Sequence, residues 1–295
     1  MTLLNIKMGA DPEVFVVNKQ KKPRSAHGLV PGSKEHPFPV PLGAVQVDGM
    51  ALEFNIDAAE TQEAFCGNID TVMEAMKQML PNDRTIKVQP VAFFSKQHMD
   101  MQPIEALELG CDPDFNGYTR EENPRPLALK NMRTAAGHVH IGWGEGFDIK
   151  DPAHYLACCT LARQLDSYLF IPSLLFDRDK RRQRMYGKPG CFRPKSYGME
   201  YRTLSNWWIE KPEYQRMVYN GAHSAVTDLI EDGVEKVEVG LGYLKDLRDN
   251  IIKYPEDFSD YELFEYIVDV GVIDYDWVDE ETEEKAILRI MGEEN

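Results

Sequence analysis

The chain has 295 residues, of which 43% are hydrophobic and 28% charged, a globular composition that excludes a disordered or fibrous protein. A chain of this length forms one large domain or two ordinary ones and buries roughly three quarters of its unfolded surface, so it needs no disulfide or metal staple. Its 33 Lys and Arg stand against 49 Asp and Glu, and the formal net charge of −16 repels phosphate backbones, which disfavours non-specific nucleic-acid binding.

The first residues, MTLLNIKMGADPE, lack the long apolar core and small-residue cleavage site of a signal peptide, so the cytoplasm is the expected compartment. Residues 4–17 read as a strand, residues 18–44 as a basic loop rich in Pro and Gly, and residues 45–56 as a second strand. Asp57 and Glu60 resemble a capping box. The helix it opens carries Phe65, Ile69, Val72, Met73, Met76, Met79 and Leu80 at helical spacing and ends at Pro81. Residues 86–94 read as a strand, residues 101–132 as an irregular stretch punctuated by prolines, and residues 134–143 as another strand.

Asp151 and Pro152 form a cap and first-turn proline for a long buried helix reaching about Phe170. The most apolar stretch, Tyr155 to Phe176, is interrupted by Arg163, Asp166 and Pro172, so it is a buried helix and not a membrane span. A basic segment at 178–184 leads to a turn around Gly187 and Gly190, a strand over 197–205, and a helix opened by Pro212 with Tyr214, Met217, Val218, Ala225, Leu229 and Ile230 on one side. From residue 237 the chain reads as helical and loop-like, and residues 274–295 as an acidic solvated tail or late helix. A single catalytic domain is expected, with its motifs at about 10–210 and a helical, acidic extension at about 237–295.

Strands joined by long excursions, with helices gathered after them, favour an α+β architecture. Neither GxGxxG nor GxxxxGK occurs as a phosphate loop, so a Rossmann or P-loop nucleotide site is not supported. The five cysteines are odd in number and scattered, and read as small buried hydrophobes. Cys111 and Cys191 alone lie in motif-like surroundings, CDPDFNGY and GCFRPKSYG.

Four strands each carry a polar pair at i and i+2, which puts both members on one face. These pairs are Asp11 and Glu13, Glu53 and Asn55, His138 and His140, and Glu200 and Arg202; the opposite faces are mostly apolar. Taken singly, each pair is an ordinary solvated face, two surface histidines, or a weak surface ion pair. Together, on one sheet, they make a face of acids and imidazoles. Asp11, Glu13, Glu53 and Glu200 would raise one another's pKa, and hard divalent cations relieve that repulsion. The densest cationic run of this acidic chain follows, with Arg178, Lys180, Arg181, Arg182, Arg184, Lys188, Arg193, Lys195 and Arg202. It reads as a solvated basic loop or as a phosphate clamp, since guanidinium groups match phosphate oxygens.

The motifs GADPEVFV, QVDGMALEFNI, AGHVHIGW and RPKSYGMEYRTLSNWW, in this order, resemble the carboxylate–amine ligases of the glutamine synthetase and glutamate–cysteine ligase superfamily, and most of all its phage-type amidoligases. The resemblance spans about residues 10–210. It implies a curved, mainly antiparallel sheet with a polar concave catalytic face and helices on the other side, as in the glutamine synthetase catalytic domain. It implies ATP and Mg²⁺ (or Mn²⁺) as cofactors, and an amide bond formed through an acyl phosphate. The metal ligands would be Asp11, Glu13, Glu53, His138 and Glu200, with Asp48 as the candidate for the one carboxylate that lacks a clean match. His140, Arg184, Arg193 and Lys195 would hold the nucleotide, and Arg202 would act on the transferring phosphate or the substrate carboxylate beside Glu200 and Glu53. Asp11 departs from the glutamate usual there, and the small N-terminal domain that completes the site of glutamine synthetase from a neighbouring subunit has no counterpart, so a large ring is not implied. The partners would be small-molecule or peptide carboxylates and amines in the cytoplasm (the host's, if phage-encoded), with homo-oligomerisation left open.

Two other readings use the same residues. A metal-dependent hydrolase of amides or phosphoesters would need no ATP and would favour zinc through the His pair. A nucleotide-binding or structural protein without turnover would tolerate Ala at Glu13 or Glu200. Aromatic stretches at Asp112–Tyr118 and Trp207–Trp208 serve equally as pocket walls or as core anchors.

Overall fold

The computed structural model describes residues 5–107, 113–124, 131–177, 179–239 and 242–269, with side chains omitted at 232–245. Cys111, Asp112, Arg178 and the acidic stretch 274–295 lie outside the described residues.

The first strand, β1 (Lys7–Asn18), is followed by the two-residue β2 (Pro23–Arg24) and by β3 (Phe38–Val40). The expected single strand at 45–56 is a hairpin, β4 (Gly43–Asp48) and β5 (Ala51–Ile56), joined by Gly49 and Met50. Gly49 turns there with φ +56°, a backbone that side-chain-bearing residues disfavour. Helix α1 (Gln62–Met79) is capped by Thr61, whose hydroxyl accepts from the Ala64 N–H at 3.2 Å, so the Asp57/Glu60 box is not the cap. Its apolar residues from Phe65 to Met76 are buried as their spacing requires, and Leu80, before Pro81, is the C-cap. The expected strand at 86–94 divides into β6 (Arg84–Lys87), which pairs with β1, and β7 (Val91–Phe93), which belongs to a separate two-stranded sheet.

Helix α2 (Lys96–Asp100) precedes the irregular stretch, which contains the short α3 (Ile104–Leu107) and β8 (Phe115–Asn116). The strands β9 (Met132–Thr134) and β10 (Gly137–Gly142) follow. Asp151 caps α4 (Pro152–Leu165), accepting from the Ala153 N–H at 3.0 Å. The helix does not stop at Phe170: Asp166–Phe170 form a π-helical turn and α5 (Ile171–Phe176) continues, with Pro172, which lacks the N–H of a continuous helix, directly after that turn. The strand expected at 197–205 is the shorter β12 (Gly198–Tyr201), and a strand that was not expected, β11 (Cys191–Lys195), precedes it. Helices α6 (Pro212–Val239), α7 (Gly242–Lys253) and α8 (Asp260–Asp269) complete the described chain.

The main sheet runs β3-β4-β5-β1-β10-β12-β11-β8, with β2 and β6 also paired to β1 and every pairing antiparallel. The class is therefore α+β. The four strands that carry polar pairs are consecutive neighbours, β5-β1-β10-β12. Their other faces supply Val14, Val16, Leu52, Phe54, Val139, Ile141 and Met199 to a core completed by α1, α4 and α6. Burying that row stabilises the sheet by roughly 25 cal/mol per Å² of apolar surface, and it fixes register, because a one-residue slip would turn every acid inward. Trp207 and Trp208 are core anchors: Trp208 stacks on Phe65 and donates to the Gly137 carbonyl at 3.1 Å, and Trp207 stacks on Phe176. A second cluster joins α5, α7 and α8 through Leu174, Ile251, Leu263 and Ile267.

Gly198 shows how tightly the strand ends are set. Its φ is +152°, and a Cβ there would lie 2.1 Å from the Ile141 carbonyl oxygen. Gly198→Ala is expected to cost at least about 3 kcal/mol by displacing β12 from β10. Urea unfolding checks it; an unchanged midpoint would show that the strands can part at this point.

Candidate active site

The register of β1 builds the site. Asp11 lies opposite His138 on β10, and Glu13 opposite Glu53 on β5. His140 lies opposite Glu200 on β12, and Glu200 opposite Arg193 on β11. Side chains far apart in sequence thus form a continuous polar surface, the floor of a cavity of about 700 Å³. Of the residues singled out from the sequence, Asp11, Glu13, Asp48, Glu53, His138, His140, Arg184, Arg193, Lys195 and Arg202 all line it. Glu200 lies beneath, with no exposed surface.

Charge is divided across the floor. On the β4–β5–β1 side, Asp48, Glu53, Glu13 and Asp11 gather. Burial first, and Asp48 second, push the Glu13 carboxyl up to about 8, although one of its oxygens accepts from the Ala136 N–H at 2.9 Å. Burial, Asp11 and Glu13 hold Glu53 well above the usual carboxylate range, against a 2.6 Å hydrogen bond from the Gln46 amide. Desolvation acts on the half-buried Asp11 too, but His140 and His138 outweigh that effect and hold it well below the ordinary value.

On the β12–β11 side Glu200 is enclosed by cations. Lys195 Nζ lies 2.8 Å and Arg193 Nη1 3.3 Å from Oε2, while Arg202 binds Oε1 and His138 Nδ1 stands 3.3 Å from it. Burial and the neighbouring Arg202 lower His138 to about 4, so it is neutral at pH 7. Burial alone would lower His140 as well, but Asp11 at 3.1 Å reverses the direction.

These groups fit a divalent cation. Candidate ligand atoms of Asp11, His140 and Glu200 lie within 4.8 Å of one another, and the buried His138 Nε2 and Gln46 Oε1 have no hydrogen-bond partner among the described residues. Oxygen-rich ligation of this kind suits hard ions.

The basic run does not act as one clamp. Arg182 is fully buried and donates to the Thr203 carbonyl at 2.8 Å and the Arg202 carbonyl at 3.3 Å, while burial lowers its pKa to about 10. Arg181 pairs with Asp179 and stacks over Phe93. The cations on the cavity are Arg184, Lys188, Arg193, Lys195 and Arg202, with Lys34 and Arg133 as further basic lining residues.

Sequence reasoning missed Gln46, Arg133 and Tyr186 as members of the site, whereas Asp114 lies in the stretch Asp112–Tyr118 that was read equally as a pocket wall or a core anchor. Gln46 carried a usable signal, since it stands two residues before Asp48 on the same face of its strand. Asp114 sits in the motif-like stretch and accepts from Arg202 Nε at 3.3 Å.

The model of a family described as phage phiEco32-like COOH.NH2 ligase, type 2, matches residues 128–256. The chain resembles the phage-type carboxylate–amine ligases. The match spans less than half of the chain but contains His138, His140, Arg184, Arg193, Lys195, Glu200 and Arg202; the acids of β1, β4 and β5 precede it. It supports an amide-forming ligase.

No curated protein matches the sequence. Among solved structures, a bifunctional glutathione synthetase from Pasteurella multocida is similar at 10% identity and a TM-score of 0.47, over 98% of this chain and 47% of its own. The chain thus spans about half the length of that protein, and a likeness of this degree carries no argument about fold or activity. Among the described residues no helix is long and apolar enough to cross a membrane.

Proposed function

We propose that the protein is an ATP-dependent carboxylate–amine ligase with a glutamine synthetase-like catalytic sheet, acting on small-molecule or peptide substrates. The observation that carries this reading is the divided charge of the cavity floor: clustered acids on β1, β4 and β5 face guanidinium and ammonium groups from β11, β12 and the 179–190 loop.

In this reading Asp11, Glu13, Glu53, His138 and Glu200, with Asp48 beside them, would hold divalent cations, and His140, grouped with Asp11 and Glu200, would stand between an ion and the nucleotide. Bound cations would supply charge neutralisation for the phosphate oxygens. Arg184, Arg193 and Lys195 orient the polyphosphate, and Arg202 faces the transferring group. A substrate carboxylate oxygen attacks the γ-phosphorus of ATP, the bond to ADP breaks, and an acyl phosphate forms. An amine then attacks the acyl carbon, phosphate leaves with the C–O bonding pair, and the amide remains after loss of a proton.

The test is incubation with ATP, Mg²⁺ and paired pools of carboxylates and amines. Phosphate and ADP should appear together, and only when both pools are present. Tightly bound zinc with ATP-independent amide or phosphoester cleavage would replace ligation by hydrolysis.

A further inference from the structure

Resting on the ligase reading, we infer that Tyr186 is a positioning residue that holds the Arg202 guanidinium in the orientation needed at the cavity floor.

All three guanidinium nitrogens of Arg202 are engaged. Nε donates to Asp114 Oδ2 at 3.3 Å, Nη1 reaches Glu200 Oε1 and stands 3.4 Å from His138 Nδ1, and Nη2 donates to the Tyr186 hydroxyl. The Tyr186 ring adds a second restraint, because the Arg202 guanidinium carbon lies 5.5 Å from its centroid. The acids at Nε and Nη1 fix the plane of the group, but only Tyr186 restrains Nη2 among the described residues.

Tyr186 is itself held in place. The buried Arg182 guanidinium lies 5.2 Å from the same ring and is fastened to the backbone at Arg202 and Thr203. Gly187 makes this packing geometrically feasible: its φ is +71°, and a Cβ would fall 2.2 Å from Arg182 Nη1. The ring therefore sits between two arginines, one structural and one on the cavity, and lines the cavity between Arg184 and Lys188. This arrangement costs Arg202 its rotational freedom before any ligand arrives, which is the condition for preorganised stabilisation of a transferring group.

The test uses the full chain and two variants. Guanidinium ¹⁵N NMR reads the rotation of Arg202 directly. In the wild type its two Nη positions should give separate resonances. Tyr186→Leu should merge them, and Tyr186→Phe, which keeps the ring and loses the hydroxyl, should exchange at an intermediate rate. In parallel, Tyr186→Leu should weaken binding of the Mg²⁺ complex of β,γ-imido-ATP about tenfold, the loss of one hydrogen bond to a charged group, while ADP binding stays within about twofold. Phe should recover part of that loss. If Tyr186→Leu is folded and Arg202 keeps separate resonances, the inference is overturned. If Tyr186→Leu does not fold, Tyr186→Phe decides: exchange equal to wild type overturns the inference, and faster exchange supports it. Merged resonances in a protein whose wild type binds neither nucleotide would uphold the role of Tyr186 while removing the ligase reading.

Discussion

Replacing Glu13 by Gln is expected to make the metal-free protein more stable at pH 8 while lowering ligase turnover by about 10²-fold or more. The sign follows from the raised carboxyl. Its folded value of about 8 exceeds the ordinary 4.5, so the folded state binds more protons than the unfolded state between those two pH values. Stability contributed below pH 4.5 is lost as the pH rises through this window, by on the order of 3–5 kcal/mol in the metal-free wild type. Glu53→Gln acts in the same direction, because burial, Asp11 and Glu13 raise that group too. Mg²⁺ or Mn²⁺ should restore wild-type stability at pH 8 by binding the folded state alone, and should do less for either variant. Thermal melts at pH 5 and pH 8, with and without the ion, check all of this. A variant that melts below wild type at pH 8 without metal would show that the acids are already neutralised by the protein.

The same chemical change at Glu200 should have the opposite sign. This carboxylate is fully buried and is approached by Lys195, Arg193, Arg202 and His138. Glu200→Gln leaves that cationic group without its counter-charge, a change that costs about 3–5 kcal/mol when a buried pair is broken from one side. It also frees Nη1 of Arg202, so turnover should fall with stability. Urea unfolding of Glu53→Gln and Glu200→Gln at pH 8 without metal gives the comparison: a gain for the first and a loss for the second. Equal shifts would mean that charge on the floor is not divided between the two sides.

Much of this division was legible in the sequence, because period-two alternation is a local property. Asp11 with Glu13, Glu53 with Asn55, and His138 with His140 each alternate with residues of the apolar core, and the register then brings the pairs together. What was not legible depends on turns and on contacts distant in sequence. The apolar alternation changes phase between Val47 and Leu52, around Gly49, and the single-strand reading passed over that local signal of a hairpin. Strand β11 was missed because Pro194 argues against a strand; it is tolerated because β8 pairs only with Cys191 and Phe192, which leaves that edge unpaired at Pro194. Arg182 looked like any other member of the basic run, and only packing against Tyr186 and two carbonyls distinguishes it from Arg184 on the cavity. Asp114 could not be assigned from spacing, since its partner Arg202 is 88 residues away.

In the proposed function, the acids and imidazoles of four neighbouring strands hold divalent ions against a triphosphate. Mn²⁺ titration followed by electron paramagnetic resonance, with and without β,γ-imido-ATP, tests it most directly. Weak Mn²⁺ binding alone is expected, with binding of at least one ion that tightens by about tenfold or more with the analogue, and with loss of that coupling in Glu53→Gln. Mn²⁺ binding that is indifferent to the nucleotide, or unchanged in Glu53→Gln, would contradict it.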